Sequence, residues 1–479
     1  MISKKIDKNK QEIRNIFYNT SDLTTYEFET KSNIKIMICY IEGLIDKDLL
    51  DRDIIKPIIL NLEKSTDIKK VIYVSNVEEG ISLKDIANTL TSGSVAIFID
   101  GISQSYIVNL NKWERRAVEE PAAEAVVRGP KEGFVEDILI NKSLLRRRIR
   151  SNDLVFEDYT LGRQTKTKVS IAYIQGVVNE DVLKEVKLRI EKIDTDSILE
   201  SGYIEQYIED NPYSLISTIG NTQKPDVVTG KLLEGRIAIF CDGSPHALTI
   251  PKLFIEGIQT SEDYYLRPYY ATYLRVLRIF SLFISITLPG FYVALQTFHQ
   301  EMIPTVLLIT MAGAREEVPF PAIIEALLML LMLELIKESG VRIPKVFGST
   351  IGIVGALVLG QAAVAAGIVS APMVIVIAAT AISEFTVASL SDAISWYRLF
   401  ILILGGFMGL YGITCGVIVI IIQALSLESF GVSYGFPLTP TDREGLKDSI
   451  IRFPLKSFIF RPKALEKKNI RRRGSIRKK

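Results

Sequence analysis

Apolar positions are distributed along this chain in two unlike ways. Up to about residue 270 they come in short runs separated by charged residues, a pattern that predicts alternating strands and amphipathic helices. From Tyr273 to Leu427 they merge into a near-continuous apolar block, which predicts an all-α polytopic transmembrane domain carried on a soluble α/β head.

The head repeats itself. KIMICYIEGLIDKDLL (35–50) aligns with KVSIAYIQGVVNEDVL (168–183), placing Gly43 on Gly176, and GSVAIFIDG (93–101) aligns with GRIAIFCDG (235–243), placing Asp100-Gly101 on Asp242-Gly243. Each half reads as a βαβαβ-like unit closing on a strand that ends in Asp-Gly. Strand and helix alternation predicts layered α/β packing, in which parallel strand pairs need the helices as crossovers. Asp-Gly fits two roles, a turn and a ligand site at a strand's carboxyl end. No GxGxxG or GxxxxGK[ST] occurs in the head, so no nucleotide site is predicted.

Between the halves lies the most densely charged stretch of the head, read as having no counterpart in the second copy. Its charges fit solvated helix faces and, through Arg146, Arg147, Arg148 and Arg150, a subunit or membrane-surface contact. The predicted organisation is a polar N-terminal segment (1–33), a first α/β subdomain (34–110), a charged connecting segment (111–151), a second α/β subdomain (152–263), a transmembrane domain of four to six spans (264–430) and a basic tail (431–479).

Within the apolar block, tyrosines 264, 265, 269, 270 and 273 with Arg267, Arg275 and Arg278 read as an interfacial belt with basic anchors. A first helix is predicted over about 276–295, with a kink at Pro289-Gly290. Residues 302–312 are too short to cross and read as re-entrant or interfacial. Further helices are predicted from Pro319 or Pro321 to Gly340, over 346–369 and 373–389, and as one long run over 397–425.

The 346–369 helix has two distinct sides. Gly348, Gly352, Gly355, Ala356, Ala363 and Ala366 share one face, with Gly360 at its margin, a small-residue strip that permits close helix packing. The other face carries Leu357, Gln361, Val364 and Ile368. Large apolar residues suit lipid, but an amide at mid-span is costly there; water in a pore and a hydrogen bond to a neighbouring helix both satisfy it. Glu325 and Glu384 are candidates for an ion or selectivity site, with burial at its own helix N-terminus the alternative for Glu325. Glu334 reads as interfacial.

Charge and composition refine this. The formal net charge is only +2, yet residues 452–479 carry twelve Lys or Arg against one Glu. Beside a membrane span such a tail fits contact with anionic lipid on the cytoplasmic side better than nucleic acid. The first thirty residues hold no apolar stretch of signal-peptide length, which places the head on that side too and predicts an even number of crossings. The three cysteines and two histidines make no ligand spacing, so neither a disulfide nor a metal is predicted. Without a nucleophile, metal cluster or phosphate loop, the chain does not read as an enzyme, and no cofactor is implied.

WERRAVEEPAAEAVVRGPKEGFVEDILINKSLLRRRI (113–149), TSEDYY (260–265), YVALQTFHQEMIPT (292–305), AREEVPFPAIIEALLMLLMLELIKESGVRIP (314–344) and GIVGALVLGQAAVAAGIVSAPMVIVIAATAI (352–382) together resemble the A subunits of nutrient germinant receptors of bacterial endospores, the GerA family of spore germination proteins. The resemblance implies a homo-oligomeric, ligand-gated ion channel of the spore inner membrane, working with a transporter-like, nutrient-holding B subunit and a lipoprotein C subunit. It makes the 346–369 helix the leading pore element. It also makes Arg115, Arg116, Glu119, Glu120, Arg128, Arg146, Arg147 and Arg148 candidates for subunit contact. Ser383-Glu384-Phe385 departs from the uncharged small residues of relatives. A secondary transporter and a membrane-anchored signalling scaffold are the competing readings; no inverted repeat is visible in the apolar block to support the first.

Overall fold

The computed structural model describes residues 2–63, 67–112, 124, 126–342, 360–462, 465, 469 and 471–472. The first unit runs α1 (Ile6–Ile16), β1 (Leu23–Glu29), β2 (Lys35–Ile41), α2 (Lys47–Leu49), α3 (Lys56–Asn61), β3 (Val77–Gly80), α4 (Leu83–Leu90), β4 (Ser94–Ile99) and β5 (Ser105–Asn109). The second repeats it with α5 (Ile138–Arg148), β6 (Leu154–Leu161), β7 (Thr167–Ile174), α6 (Glu180–Glu191), α7 (Ser201–Ile208), β8 (Gly220–Thr222), α8 (Pro225–Leu233), β9 (Ile237–Cys241) and β10 (Ala247–Ile250).

The two sheets are separate and share one topology, β1-β2-β4-β5-β3 and β6-β7-β9-β10-β8. Each is covered on both faces. In the first, α1 and α4 pack over Met37, Cys39 and Phe98, while α3 packs over Ile36, Ile38 and Ile97 from the other side. In the second, α5 and α8 cover Phe156, Ala172 and Phe240, and α6 and α7 cover Val169, Ile171 and Ile239.

The duplication and the layered α/β class stand; the βαβαβ reading does not. Every neighbouring pair of strands is antiparallel. The reason lies in the Asp-Gly pairs, which are turns: Gly101 at φ +87° and Gly243 at φ +82° reverse the chain into an additional strand, β5 or β10, that pairs back on the one before.

The repeat also starts earlier than its apolar signal. The amide of Gly101 donates to the Lys4 carbonyl and that of Gly243 to the Glu136 carbonyl, both at 2.8 Å. Asn9 bridges the backbone of Ser3 as Asn141 bridges that of Val135. Helix α5, inside the stretch read as lacking a counterpart, therefore matches α1, and the polar first thirty residues supply α1 and the edge strand β1. An edge strand half open to solvent needs no apolar run, which hid it.

Beyond the head the chain is helical: α9 (Pro268–Thr297), α10 (Thr305–Arg315), α11 (Ala322–Arg342), α12 (360–365), α13 (Ala371–Phe385) and α14 (Ser391–Ser426). Among the described residues, Pro268–Thr297 and Ala388–Ser426 are the two helical stretches long and apolar enough to cross a membrane. The second is folded on itself. At Gly409 (φ 63°, ψ −146°) the chain reverses, so that Gly416 lies against Ile401 and Leu404, and Gly412 against the Leu404 carbonyl. The predicted single span over 397–425 is thus a hairpin of two limbs, its turn seated on Phe298 and His299 at the end of α9. Both ends of the hairpin lie by the head: Ser389 donates to the Gly257 carbonyl at 3.0 Å, and Tyr434 caps Leu427 through its backbone.

The chain after α14 returns to the head. Phe430, Val432, Phe436 and Leu465 belong to the core of the second unit. Arg461 donates to the Leu233 carbonyl at 2.8 Å. These described parts of the tail, read as a lipid-facing basic segment, are packing elements of the head.

Candidate functional site

The helices carry two buried polar centres, one at each end. At the head end, Arg398 on the second turn of α14 is 1% exposed. Its guanidinium forks onto Glu384 Oε2 of α13 at 2.7 Å and Glu334 Oε1 of α11 at 2.6 Å. Lys337 closes the ring, 2.7 Å from Glu384 Oε1 and 3.0 Å from Glu334 Oε1, and the Ser395 hydroxyl donates to Glu334 at 3.0 Å. Two carboxylates and two cations cancel formally. Such pairing is the condition for holding four charges among apolar helices, and it clamps α11, α13 and α14 together.

At the opposite end, Glu325 on the first turn of α11 is fully buried and accepts from the backbone amide of Ser370 at 2.6 Å and from its hydroxyl at 2.5 Å. Ser370 is the residue before α13, so this carboxylate caps a helix N-terminus other than its own. Arg315 stands 3.7 Å from Glu325 and donates to Gln296 of α9, whose amide in turn donates to the Tyr292 hydroxyl. The two predicted ion-site carboxylates are therefore not brought together; each is engaged within the chain.

Of the predicted pore stripe, Gln361, Val364 and Ile368 are described and Leu357 is not; of the packing strip, Gly360 is described, while Gly348, Gly352 and Ala356 lie outside the described residues. Gly360 faces Val374 of α13. Gln361 is exposed, and among the described residues its amide has no hydrogen-bond partner. The predicted helix does not run to 369: it ends at 365 and Gly367 at φ +64° turns the chain, so Ile368, 45% exposed, does not continue the Gln361 face.

A third polar centre joins head, helices and tail. Asp263 of the TSEDYY motif is fully buried, held by Arg275 Nε at 3.0 Å and by Arg278 Nη1 at 2.9 Å to each oxygen. Arg275 also reaches the Asp448 carboxylate at 3.0 Å and the Ser449 carbonyl at 2.8 Å. Tyr264 donates to the other Asp448 oxygen at 2.8 Å; burial and that carboxylate push its phenol well above the usual range. Arg275 and Arg278, read as interfacial anchors, are instead buried or half-buried ion-pair partners.

Among the candidate contact residues, Arg146 is fully buried and spent within the chain: its guanidinium binds Asp22 at 2.7 and 3.0 Å, joining the two units. This removes it from any contact surface. Arg147 and Arg148 pair with Glu132, Arg128 is exposed, and Arg115, Arg116, Glu119 and Glu120 lie outside the described residues. The segment is stitched to the second unit where Glu124 accepts from the Thr222 hydroxyl and the Gln223 amide. Among the described residues no group of His, Cys, Asp and Glu is placed to hold a metal ion.

The Bacillus/Clostridium GerA spore germination protein family model matches residues 11–464. The chain belongs to the GerA family. It is 42% identical to spore germination protein KA of Bacillus subtilis (strain 168), over 99% of this chain and 89% of that protein. It is 39% identical to spore germination protein GerLA of Bacillus cereus, over 98% and 97%. Among solved structures it is similar to the N-terminal domain of the A subunit of the Bacillus megaterium spore germinant receptor GerK3, with 34% identity and a TM-score of 0.40, covering 53% of this chain and 97% of that one.

What the residue pattern missed in this GerA chain was pairing. Arg398 follows Tyr397 at the start of the last apolar run, and two carboxylates in apolar helices require cations. That charge balance was the available signal.

Proposed function

We propose that this chain is the A subunit of a spore nutrient germinant receptor and that copies of it surround an ion-conducting, cation-permeable pore in the spore inner membrane. A transporter-like B subunit senses the nutrient and a lipoprotein C subunit completes the receptor. One observation carries the pore reading: Gln361 is exposed, with no partner for its amide among the described residues. An unpaired amide facing lipid is costly, whereas water in a shared channel satisfies it.

The course of the helices supports six passages. α9 and the first limb of α14 lead away from the head; α11, α13 and the second limb lead back; α10 stays at the far end, and the sixth passage is assigned by this reading to the segment ending in α12. Head and tail then share the cytoplasmic side. The charge ring of Glu334, Lys337, Glu384 and Arg398 gives each subunit a rigid body against which the pore helix moves.

The test is single-channel recording of the purified protein in planar bilayers. Wild type is expected to pass monovalent cations, Val364→Ala to raise open probability, and Gln361→Leu to reduce conductance. No conductance from correctly folded wild type in the presence of its partner subunits, or identical currents from all three proteins, would overturn the pore reading.

A further inference from the structure

The loop that follows α7 in the head is tied at both stems to the residues just after α14. The Asp210 carboxylate accepts from the Phe430 amide at 2.6 Å, and the Ser429 hydroxyl donates to the Thr218 carbonyl at 2.7 Å. Between those stems Ile216 packs in one apolar cluster with Ala393 and Tyr397 of the first limb of α14 and with Leu427 after the second. The stems lie just beyond Leu425, 43% exposed and the last exposed apolar residue of the second limb; Ser426 and Glu428, both exposed, follow it. The loop is thus held at the level where the apolar surface of the helices gives way to polar residues.

At that level the loop presents apolar groups to the outside. Tyr213 is 99% exposed and Leu215 40%. The Ser214 amide donates to the Asn211 carbonyl at 2.9 Å, closing a turn around Pro212, so Tyr213 is carried on a short, stiff projection. Three residues of chain span at most about 11 Å, which bounds its distance from Ile216. The acidic side chains nearby are spent within the chain: Asp210 on Arg189 and Phe430, Glu209 on Thr218, Glu205 on Ser217. Trp396 is exposed at the same end of α14. Exposed tyrosine and tryptophan rings at the edge of an apolar helical surface are the residue set of a membrane–water interface, where such rings sit at headgroup level.

We propose that the loop 211–215 is a foot of the head that rests in the headgroup layer of the bilayer, with the Tyr213 ring and Leu215 at the acyl boundary. This rests on the helices being embedded in a bilayer, and not on their conducting ions. The foot pins the second unit beside both ends of the α14 hairpin, so the leaflet itself resists tilting of the head.

The full-length protein, its two tryptophans removed by Trp113→Phe and Trp396→Phe, is reconstituted in vesicles of phosphatidylcholine brominated either near the glycerol end of the acyl chain or near its tip. In that background Tyr213→Trp is expected to give blue-shifted emission, quenched about twofold or more by the shallow bromines and little by the deep ones, as a ring at headgroup level requires. The Tyr213 side chain is bare within the chain, so the substitution leaves thermal stability unchanged. Phe283→Trp, on the exposed apolar surface of α9, gauges embedding. Quenching of Phe283→Trp while Tyr213→Trp emits as in water overturns the foot and leaves the bilayer reading standing; quenching of neither overturns both. Blue-shifted Tyr213→Trp emission that no bromolipid quenches means that protein covers the loop, and it overturns the proposal too. None of these readouts depends on conductance.

Discussion

Arg146 and Asp22 bind each other across the two repeated units of the head: the guanidinium contacts both carboxylate oxygens, and neither side chain reaches solvent. A forked pair of this kind is directional as well as charged, so it fixes the angle at which one unit meets the other. Asp22→Ala strands the arginine without a counter-charge and is expected to cost about 3–5 kcal/mol. Asp22→Leu combined with Arg146→Met recovers most of that. Thermal unfolding followed by circular dichroism checks both; a double variant no better than the single one would show that the pair does more than neutralise itself.

The charge ring among the helices makes a sharper demand. Removing the carboxylate in Glu384→Ala leaves Arg398 with Glu334 alone, and Lys337 likewise. Each of Glu384→Ala and Arg398→Ala is expected to lower stability by several kcal/mol, about 3–5 when a buried partner is stranded. The two losses should be strongly non-additive, because they break one shared contact. Additive losses in a double-mutant cycle on the detergent-solubilised protein would contradict the geometry.

Backbone contact between α9 and α14 sets a steric limit. A methyl group on Gly290 would come within 2.9 Å of the Ile401 carbonyl oxygen, and one on Gly405 within 2.8 Å of the Gly290 carbonyl oxygen. Gly290→Ala and Gly405→Ala are therefore expected to cost about 1–3 kcal/mol each by overpacking. Gly313→Ala on α10 meets nothing within 4 Å and serves as the neutral control in the same melting series.

Acid should unfold the head at a defined point. Burial by itself pushes the Glu256 carboxyl up, but the charges and hydrogen bonds of Arg236 and Lys231 override it and hold the group at about 2. Burial likewise opposes, and Arg146 reverses, the titration of Asp22, which stays below its ordinary value. Depressed carboxylates contribute stability that is fully present above their unfolded values, 3.8 and 4.5, and is lost as pH falls through the folded ones. The melting temperature should hold level from pH 7 to 5 as far as these groups decide it, then fall below about 4.5. Glu256→Gln should flatten that acid limb while lowering the plateau.

Much of the head was legible because its landmarks are backbone requirements. Gly43 and Gly176, at φ +81° and +75°, occupy turns that L side chains rarely adopt, so the repeated spacing of glycines survived where the intervening residues diverged. The strand count was less legible, since β1 is a polar edge and β5 lies beyond a turn that reads as an end. In the helices, glycine misleads: it is common in membrane spans, so Gly409 gave no sign that 397–425 folds in two. Glu384 stood out as a charge out of place, but its partners lie on α11 and α14, and long-range pairing leaves no periodic trace.

The return of Phe430, Val432, Phe436 and Leu465 into the second unit of the head has a consequence for biogenesis. Those residues leave the ribosome after every helix of the apolar block. The second unit's core is therefore left open, its apolar seat vacant, until the helices have been made and the last stretch of chain has come back. A chain that stalls before then keeps that seat exposed, which marks it for proteolysis.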